Sequence, residues 1–368
     1  MSRAAVRHLY VHLPFCASRC GYCDFVTVVG QDGRHAAYVA ALLAELELEG
    51  EALEPRLESV FLGGGTPTLT EPAELSRLLR ALPAAEEVTV EANPETVTPE
   101  LAALLREAGV TRISLGAQSF QPRLLEVLER RARPDDVRRA FSILREAGFD
   151  NLSLDLIYGI PGQSAADLDA DLSAALALEP EHVSAYELEA KPGTRFTHAY
   201  GEELARQADA MESYFERVVA RLTEADYRWY ETANFCRAGS RDLRSRHNLA
   251  YWRGRDYLGV GIGAVSTIAG RRWKTTPRLG RYLASLRAGE QPERELEELP
   301  AQVRSSERVL LGLRLDEPLS LDGLADAVDA AAVERLERLG LVARAGSALT
   351  LTERGRFLGG GVTAELLA

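Results

Sequence analysis

Short apolar runs alternate with longer helical ones through the first half of the chain, and that alternation restricts the fold more than any other feature. Residues 8–13, 59–62, 88–91, 112–115, 152–157 and 183–188 have the length and apolar content of buried strands. Residues 34–49, 72–82, 99–108, 122–130 with 134–147, and 165–178 lie between them as helices. In 34–49, Tyr38, Leu42, Leu43 and Leu46 recur at helical spacing. Pro72, Pro99, Pro122 and Pro134 stand where a helix leaves an N–H unpaired in any case. This pattern predicts an α/β protein built on a parallel sheet, an incomplete (β/α)6 barrel rather than the closed eightfold one. Sites in such barrels gather at the C-terminal ends of the strands.

The pattern changes after a long helix expected over 202–224. Residues 227–290 are rich in aromatics, glycine and arginine and read as a connecting region outside the barrel, which itself takes 1–226. Residues 291–368 read as a small α+β winged-helix-like domain, with helices over 321–328 and 330–339, a hairpin over 342–351 and a helix from Glu353. Winged helices commonly bind DNA, but carboxylates outnumber cations in this segment and the whole chain carries a net charge of -12. Phosphate backbones and anionic lipids select basic faces, so no nucleic-acid partner is expected. No run of about 18 apolar residues occurs, and Met1 to Arg7 lacks the apolar core of a secretion leader. Three of the four cysteines crowd into eight residues, which argues against a disulfide framework and for a reducing compartment. The expectation is a cytoplasmic protein, compatible with peripheral membrane contact, as a monomer or homodimer.

Those crowded thiols, Cys16, Cys20 and Cys23, follow the first strand in a loop that also carries Pro14 and Gly21. Three thiolates at this spacing can reach one soft metal centre. A cubane iron-sulfur cluster has four corners, so three cysteines leave one iron open to a small chelating ligand. Zinc is the alternative reading, although structural zinc takes four closed ligands. After the second strand comes Gly63-Gly64-Gly65-Thr66-Pro67, where the lack of side chains lets a ligand approach the backbone. Glu91, Gln118 and Asp155 fall near the ends of later strands and so share a rim with the cysteine loop.

A second constellation is His247-Asn248-Leu249-Ala250-Tyr251-Trp252. Neutral imidazole is a good axial ligand for haem iron and the two aromatics could pack on a porphyrin face. A lone histidine is otherwise a hydrogen-bonding residue. Arg237, Arg241, Arg244 and Arg246 lie upstream and suit either propionate carboxylates or a solvated basic loop. Cys236 has no companion and reads as a small buried thiol.

Taken together, YVHLPFCASRCGYCDF, LGGGTPT, VEANPET, RISLGAQSF, NLSLDLIYGIPGQ, HVSAYELEAKPGT, SRHNLAYWRGRDYLGVGIGAVS and SERVLLGLRL resemble the oxygen-independent coproporphyrinogen III oxidase-like radical S-adenosylmethionine (SAM) family, and within it the haem-chaperone branch. The resemblance implies a [4Fe-4S] cluster on Cys16, Cys20 and Cys23. It implies SAM contacts at Tyr10, Tyr22, Gly64, Gly65, Thr66, Glu91, Gln118, Arg130, Asp155 and Val265, and His247 as candidate haem ligand. Without the resemblance, Arg130 would read as an exposed helix cation. It further implies delivery of haem to acceptors such as respiratory enzymes or bacterioferritin-like proteins. The oxidases of the family decarboxylate propionates after a SAM-derived radical removes hydrogen; they carry a further cysteine just after the triplet and a long N-terminal extension. Here Asp24 and Phe25 follow Cys23 and the motif begins at Tyr10, so both features favour the chaperone branch. An iron-sulfur winged-helix regulator is a third reading, resting on the C-terminal pattern alone.

Overall fold

The computed structural model describes residues 6–191 and 195–368, with Asp32 and Arg195 described in backbone only. The reading of Met1 to Arg7 as leaderless, and the Pro-Gly-Thr that closes the HVSAYELEAKPGT segment, fall wholly or partly outside the described residues.

The first half follows the expected order. β1 (His8–Leu13) leads into the cysteine loop, which is bracketed by two short parallel strands, β2 (Phe15–Cys16) and β3 (Val28–Val29). Then come α1 (His35–Glu49), β4 (Arg56–Gly64), α2 (Pro72–Ala81), β5 (Ala84–Ala92), α3 (Pro99–Glu107), β6 (Arg112–Gln118), α4 (Pro122–Val127), α5 (Pro134–Glu146), β7 (Leu152–Tyr158), α6 (Ala165–Leu176) and β8 (His182–Glu187). Helices α2 to α5 each carry proline in the first turn. α6 starts with a capping box, in which Ser164 accepts from the Asp167 N–H and the Asp167 carboxylate returns to the Ser164 N–H. Strands β1, β4, β5, β6, β7 and β8 are parallel neighbours in that order. Alternation along the strands separates two environments. Leu9, Val11, Val60, Leu62, Val90, Ile113, Leu115, Leu154 and Val183 join the apolar core under the helices. The opposite parity, including His8, Tyr10, Ser59, Glu91, Arg112, Ser114, Asp155, His182 and Ser184, faces the barrel interior, which is therefore polar.

The expected helix over 202–224 is two helices, α7 (Arg195–Gln207) and α8 (Met211–Glu224), joined by a 3-10 turn at Ala208–Ala210. They serve different surfaces. Phe196 of α7 packs with Leu124, Ile157 and Ile160 beside Tyr22, whereas Val218, Val219 and Leu222 of α8 enter the main core. One straight helix could not reach both.

The stretch 227–290 also departs from expectation, because it supplies both edges of the sheet. β9 (Tyr227–Glu231) and β10 (Asn234–Arg237) extend β8 antiparallel; after α9 (Arg246–Trp252), β11 (Leu258–Val260) pairs parallel with β1. The result is an open nine-stranded sheet. A three-stranded antiparallel sheet follows, from β12 (Val265–Ile268), β13 (Arg271–Thr275) and, beyond α10 (Leu279–Arg287), β14 (Arg294–Glu298).

The small C-terminal domain comprises α11 (Ala301–Gly312), β15 (Leu319–Ser320), α12 (Ala330–Arg338), β16 (Val342–Ala345), β17 (Ala348–Leu351), α13 (Glu353–Phe357) and α14 (Gly359–Leu366). Its own core includes Val309, Leu313, Leu336, Leu349 and Leu366. The helix expected over 321–328 is a turn and one 3-10 turn at Ala325–Ala327. Gly323 has φ +75, a left-handed conformation that interrupts an α-helix. Among the described residues no helix is long and apolar enough to cross a membrane.

Candidate functional site

A cavity of about 580 Å³ opens at the C-terminal ends of the parallel strands. Its walls include Cys16, Cys20, Cys23, Tyr10, Tyr22, Gly64, Gly65, Thr66, Glu91, Gln118, Arg130, Asp155 and His247, so every expected site residue except Val265 meets there.

The thiol wall rests on the glycine turn. Gly64 has φ +110, and a Cβ there would lie 2.4 Å from the His12 ring; one on Gly65 would lie 2.5 Å from the Pro14 carbonyl carbon. Only glycine fits. The Cys16 sulfur lies 3.6 Å from Thr66 Oγ1, which also accepts from Asn93 Nδ2 at 3.0 Å. Arg130 is not an exposed helix cation. It donates to Asn93 Oδ1 at 2.8 Å and to the Gly116 carbonyl at 3.0 Å, with the Cys20 sulfur 3.7 Å away. Tyr22 meets Phe196 edge-on at 6.4 Å.

The three sulfurs line one wall, near enough that the Cys16 and Cys20 charges bear on the Cys23 thiol. The donor set fits a soft metal group with one open position: three thiols on one loop, with the remaining cysteine in a separate core. Burial pushes the Cys16 and Cys23 thiols up, so metal binding there must displace protons.

Opposite the thiols, burial raises the Glu91 carboxyl to about 7, helped by the nearby Asp155 charge, and raises Asp155 as well. Glu91 accepts the Gly64 N–H at 3.1 Å and Asp155 accepts from Ser114 at 3.1 Å. Gln118 has φ +64, a strained left-handed conformation for a residue with a side chain. Two costly carboxylates and a strained amide at one strand-end rim suit a polar ligand bearing positive charge.

The deep wall is built by α9. His247 is 1% exposed. Its Nδ1 lies 2.9 Å from Ser59 Oγ, its Nε2 lies 2.8 Å from the Tyr251 hydroxyl, and its ring stacks on Phe61 at 5.1 Å. Burial lowers its pKa to about 3, which keeps the imidazole neutral.

The radical SAM superfamily profile matches residues 10–175 and the HemN C-terminal domain profile matches residues 299–358. The chain is 40% identical to the haem chaperone HemW of Mycobacterium tuberculosis, over 98% of this chain and 94% of the relative. It is 34% identical to the haem chaperone HemW of Bacillus subtilis, over 98% of this chain and 99% of the relative. The chain belongs to the HemW family. The solved coproporphyrinogen III oxidase HemN of Escherichia coli superposes with a TM-score of 0.82 at 22% identity, covering 99% of this chain and 90% of that one, and so shares the fold.

Within this HemW-family chain, three sequence expectations meet a different geometry. Val265 does not line the cavity; on β12 it pairs with Lys274 of β13, and its carbonyl oxygen would lie 2.2 Å from a Cβ on Gly259. Arg237, Arg241, Arg244 and Arg246 do not line it either. Each has a carboxylate elsewhere: Glu179 at 3.8 Å, Asp150 at 2.7 Å, Asp242 at 2.7 Å with Glu317, and Glu86 at 3.1 Å, respectively. Trp252 turns away from the cavity and lies under the Arg314 guanidinium at 4.4 Å. Adjacent helical residues point about 100° apart, so Tyr251 and Trp252 cannot share a face. Cys236 is a buried thiol packed with Tyr230, Leu243, Leu249 and Leu315, as expected.

Three further wall residues stand outside the sequence expectations: Asn93, Arg112 and Tyr186. Strand parity could have found two of them, since Arg112 shares a face with Ser114 and Gly116, and Tyr186 with Ser184. Phe25 is 63% exposed at the cavity mouth, beside the last thiol.

Proposed function

We propose that this chain is a cytoplasmic haem chaperone: it binds haem, holds SAM on a [4Fe-4S] cluster, and passes haem to acceptors such as respiratory enzymes. The observation that carries this reading is that His247 and Tyr251 line the same cavity as the three thiols. Cys16, Cys20 and Cys23 would hold the cluster, and its open iron would supply a chelation point for the SAM amine and carboxylate. Gly64, Gly65 and Thr66 offer backbone and hydroxyl groups to the methionine end. Glu91 and Asp155 attract the positive charge of SAM, and Gln118 and Arg130 complete the polar rim. His247 is the proposed haem ligand, neutral and of suitable type, with Phe25 and Tyr251 as apolar surface on the same cavity.

Phe25 in the cavity, where a further thiol would stand in an oxidase, supports handling of finished haem over porphyrinogen oxidation. An anaerobic haem titration of the cluster-loaded and cluster-free chain, followed by transfer to an apo acceptor, tests the reading. About one haem per chain is expected from one axial motif. Sustained conversion of coproporphyrinogen to protoporphyrinogen with SAM consumption would overturn it.

A further inference from the structure

We propose that Tyr251 is a latch on His247, and that Ser59, His8 and Glu58 are positioning residues that hold His247 in the tautomer able to bind iron. The inference rests on His247 being the haem ligand. Four side chains form one hydrogen-bonded row through the barrel: His8 Nδ1 to Ser59 Oγ at 2.9 Å, Ser59 Oγ to His247 Nδ1 at 2.9 Å, and His247 Nε2 to the Tyr251 hydroxyl at 2.8 Å. The Glu58 carboxylate stands 3.7 Å from His8 Nε2 at the far end. Tyr251 lines the cavity described above, whereas His8 and Glu58 line a separate cleft.

Ser59 decides the polarity of this row. It sits between two Nδ1 atoms but has one hydroxyl hydrogen, so one histidine must donate to it and the other must accept. If His8 donated, its Nε2 lone pair would face the Glu58 carboxylate, two acceptors against each other. The other arrangement directs the His8 Nε2–H at Glu58, and Ser59 then donates to His8 and accepts from His247 Nδ1–H. His247 is left with its lone pair on Nε2, the atom that faces Tyr251 and the cavity. A histidine ligand whose second nitrogen donates to a fixed acceptor is oriented and made more basic for metal.

The lone pair is capped by the Tyr251 hydroxyl. His247 and Tyr251 are four residues apart on α9 and therefore share a helix face. The His247 ring is clamped between Ser59 and Phe61, so it does not turn to meet a ligand. Among the described residues Tyr251 makes no other side-chain hydrogen bond, and it meets Tyr257 edge-on at 4.6 Å. Haem binding thus exchanges one phenol hydrogen bond for one iron bond, and release reverses the exchange.

Haem affinity and the absorption and electron paramagnetic resonance spectra of the bound ferric haem would be measured on the full chain carrying Tyr251→Phe, Glu58→Lys or His247→Ala. Tyr251→Phe frees Nε2 and is expected to tighten binding roughly fivefold, the equivalent of one ordinary hydrogen bond. Glu58→Lys, at a half-exposed position that also pairs with Arg7 at 2.9 Å, places a donor against His8 Nε2 and is expected to weaken binding several-fold and shift the histidine-ligated spectrum, with cluster content unchanged. Unchanged affinity and spectrum in both variants, with haem lost in His247→Ala, would overturn the latch and leave the haem ligand standing. Absence of haem binding by the parent chain would instead overturn the function on which the latch rests. Weaker binding in Tyr251→Phe would also overturn the latch, since it would make the phenol a supporting contact.

Discussion

The two ends of the barrel interior treat polar side chains in opposite ways. At the floor they satisfy one another: His8, Ser59, His247 and Tyr251 form one row, and Ser153, His182 and Tyr230 form a second, with His182 at 2.8 Å from both of its partners. The Glu87 carboxylate accepts the Arg246 and His247 N–H groups that begin α9. At the rim, burial pushes two of the thiols up, Gln118 is strained, and Glu91 meets one backbone N–H beside a second carboxylate. Groups left costly at a cavity wall are completed by a ligand directly, whereas a buried group that is already paired, as His247 is with Tyr251, binds a ligand only by giving up a bond it has.

The most drastic way to break this contrast is at the thiols. Cys20→Ala is expected to abolish the cluster, with reconstituted iron falling to background; a full four-iron Mössbauer signal would refute the ligand set. Gly65→Ala comes next. The new methyl group meets the Pro14 carbonyl, so SAM affinity should fall at least tenfold by equilibrium dialysis, with stability lower by about 1–3 kcal/mol in thermal unfolding. Normal SAM binding in that variant would remove the glycine turn from the site.

A gentler test uses pH. Glu91 holds its proton up to about 7 in the ligand-free chain. Only the ionised form attracts a cationic ligand, so SAM binding should weaken as pH falls below about 7, and Glu91→Gln should flatten that profile. A parent profile already flat between pH 5.5 and 8 would place the charge recognition elsewhere. The smallest effect is expected at Arg241→Ala, where an exposed pair with Asp150 is worth less than about 1 kcal/mol. Haem affinity should not change; a marked loss would restore the arginine loop as a propionate site.

The rim was legible in the sequence because its residues sit in short local motifs at strand ends, where parallel β/α architecture places function. The strands themselves were legible from apolar runs, and four helices announced their starts with proline. The floor was not legible, because its pairs are remote: Ser59 meets His247 across 188 positions, and only strand register brings His8 opposite Ser59. The arginines misled for the same reason. Their partners Asp150, Glu86 and Glu317 come from other elements, so a basic loop in sequence is a set of ion pairs in space. Residues 227–260 looked foreign to the barrel because their strands are short and two run antiparallel, yet pairing joins them to the sheet.

Tyr251 and Trp252 end the same seven-residue helix and look different ways, one to the cavity and one to Arg314 at the base of the C-terminal domain. So short a helix moves as a piece. A substitution that tilts α9 to suit the small domain therefore also moves the cavity wall. Arg314 and Tyr251, remote in sequence and different in role, are thus coupled through one turn of helix.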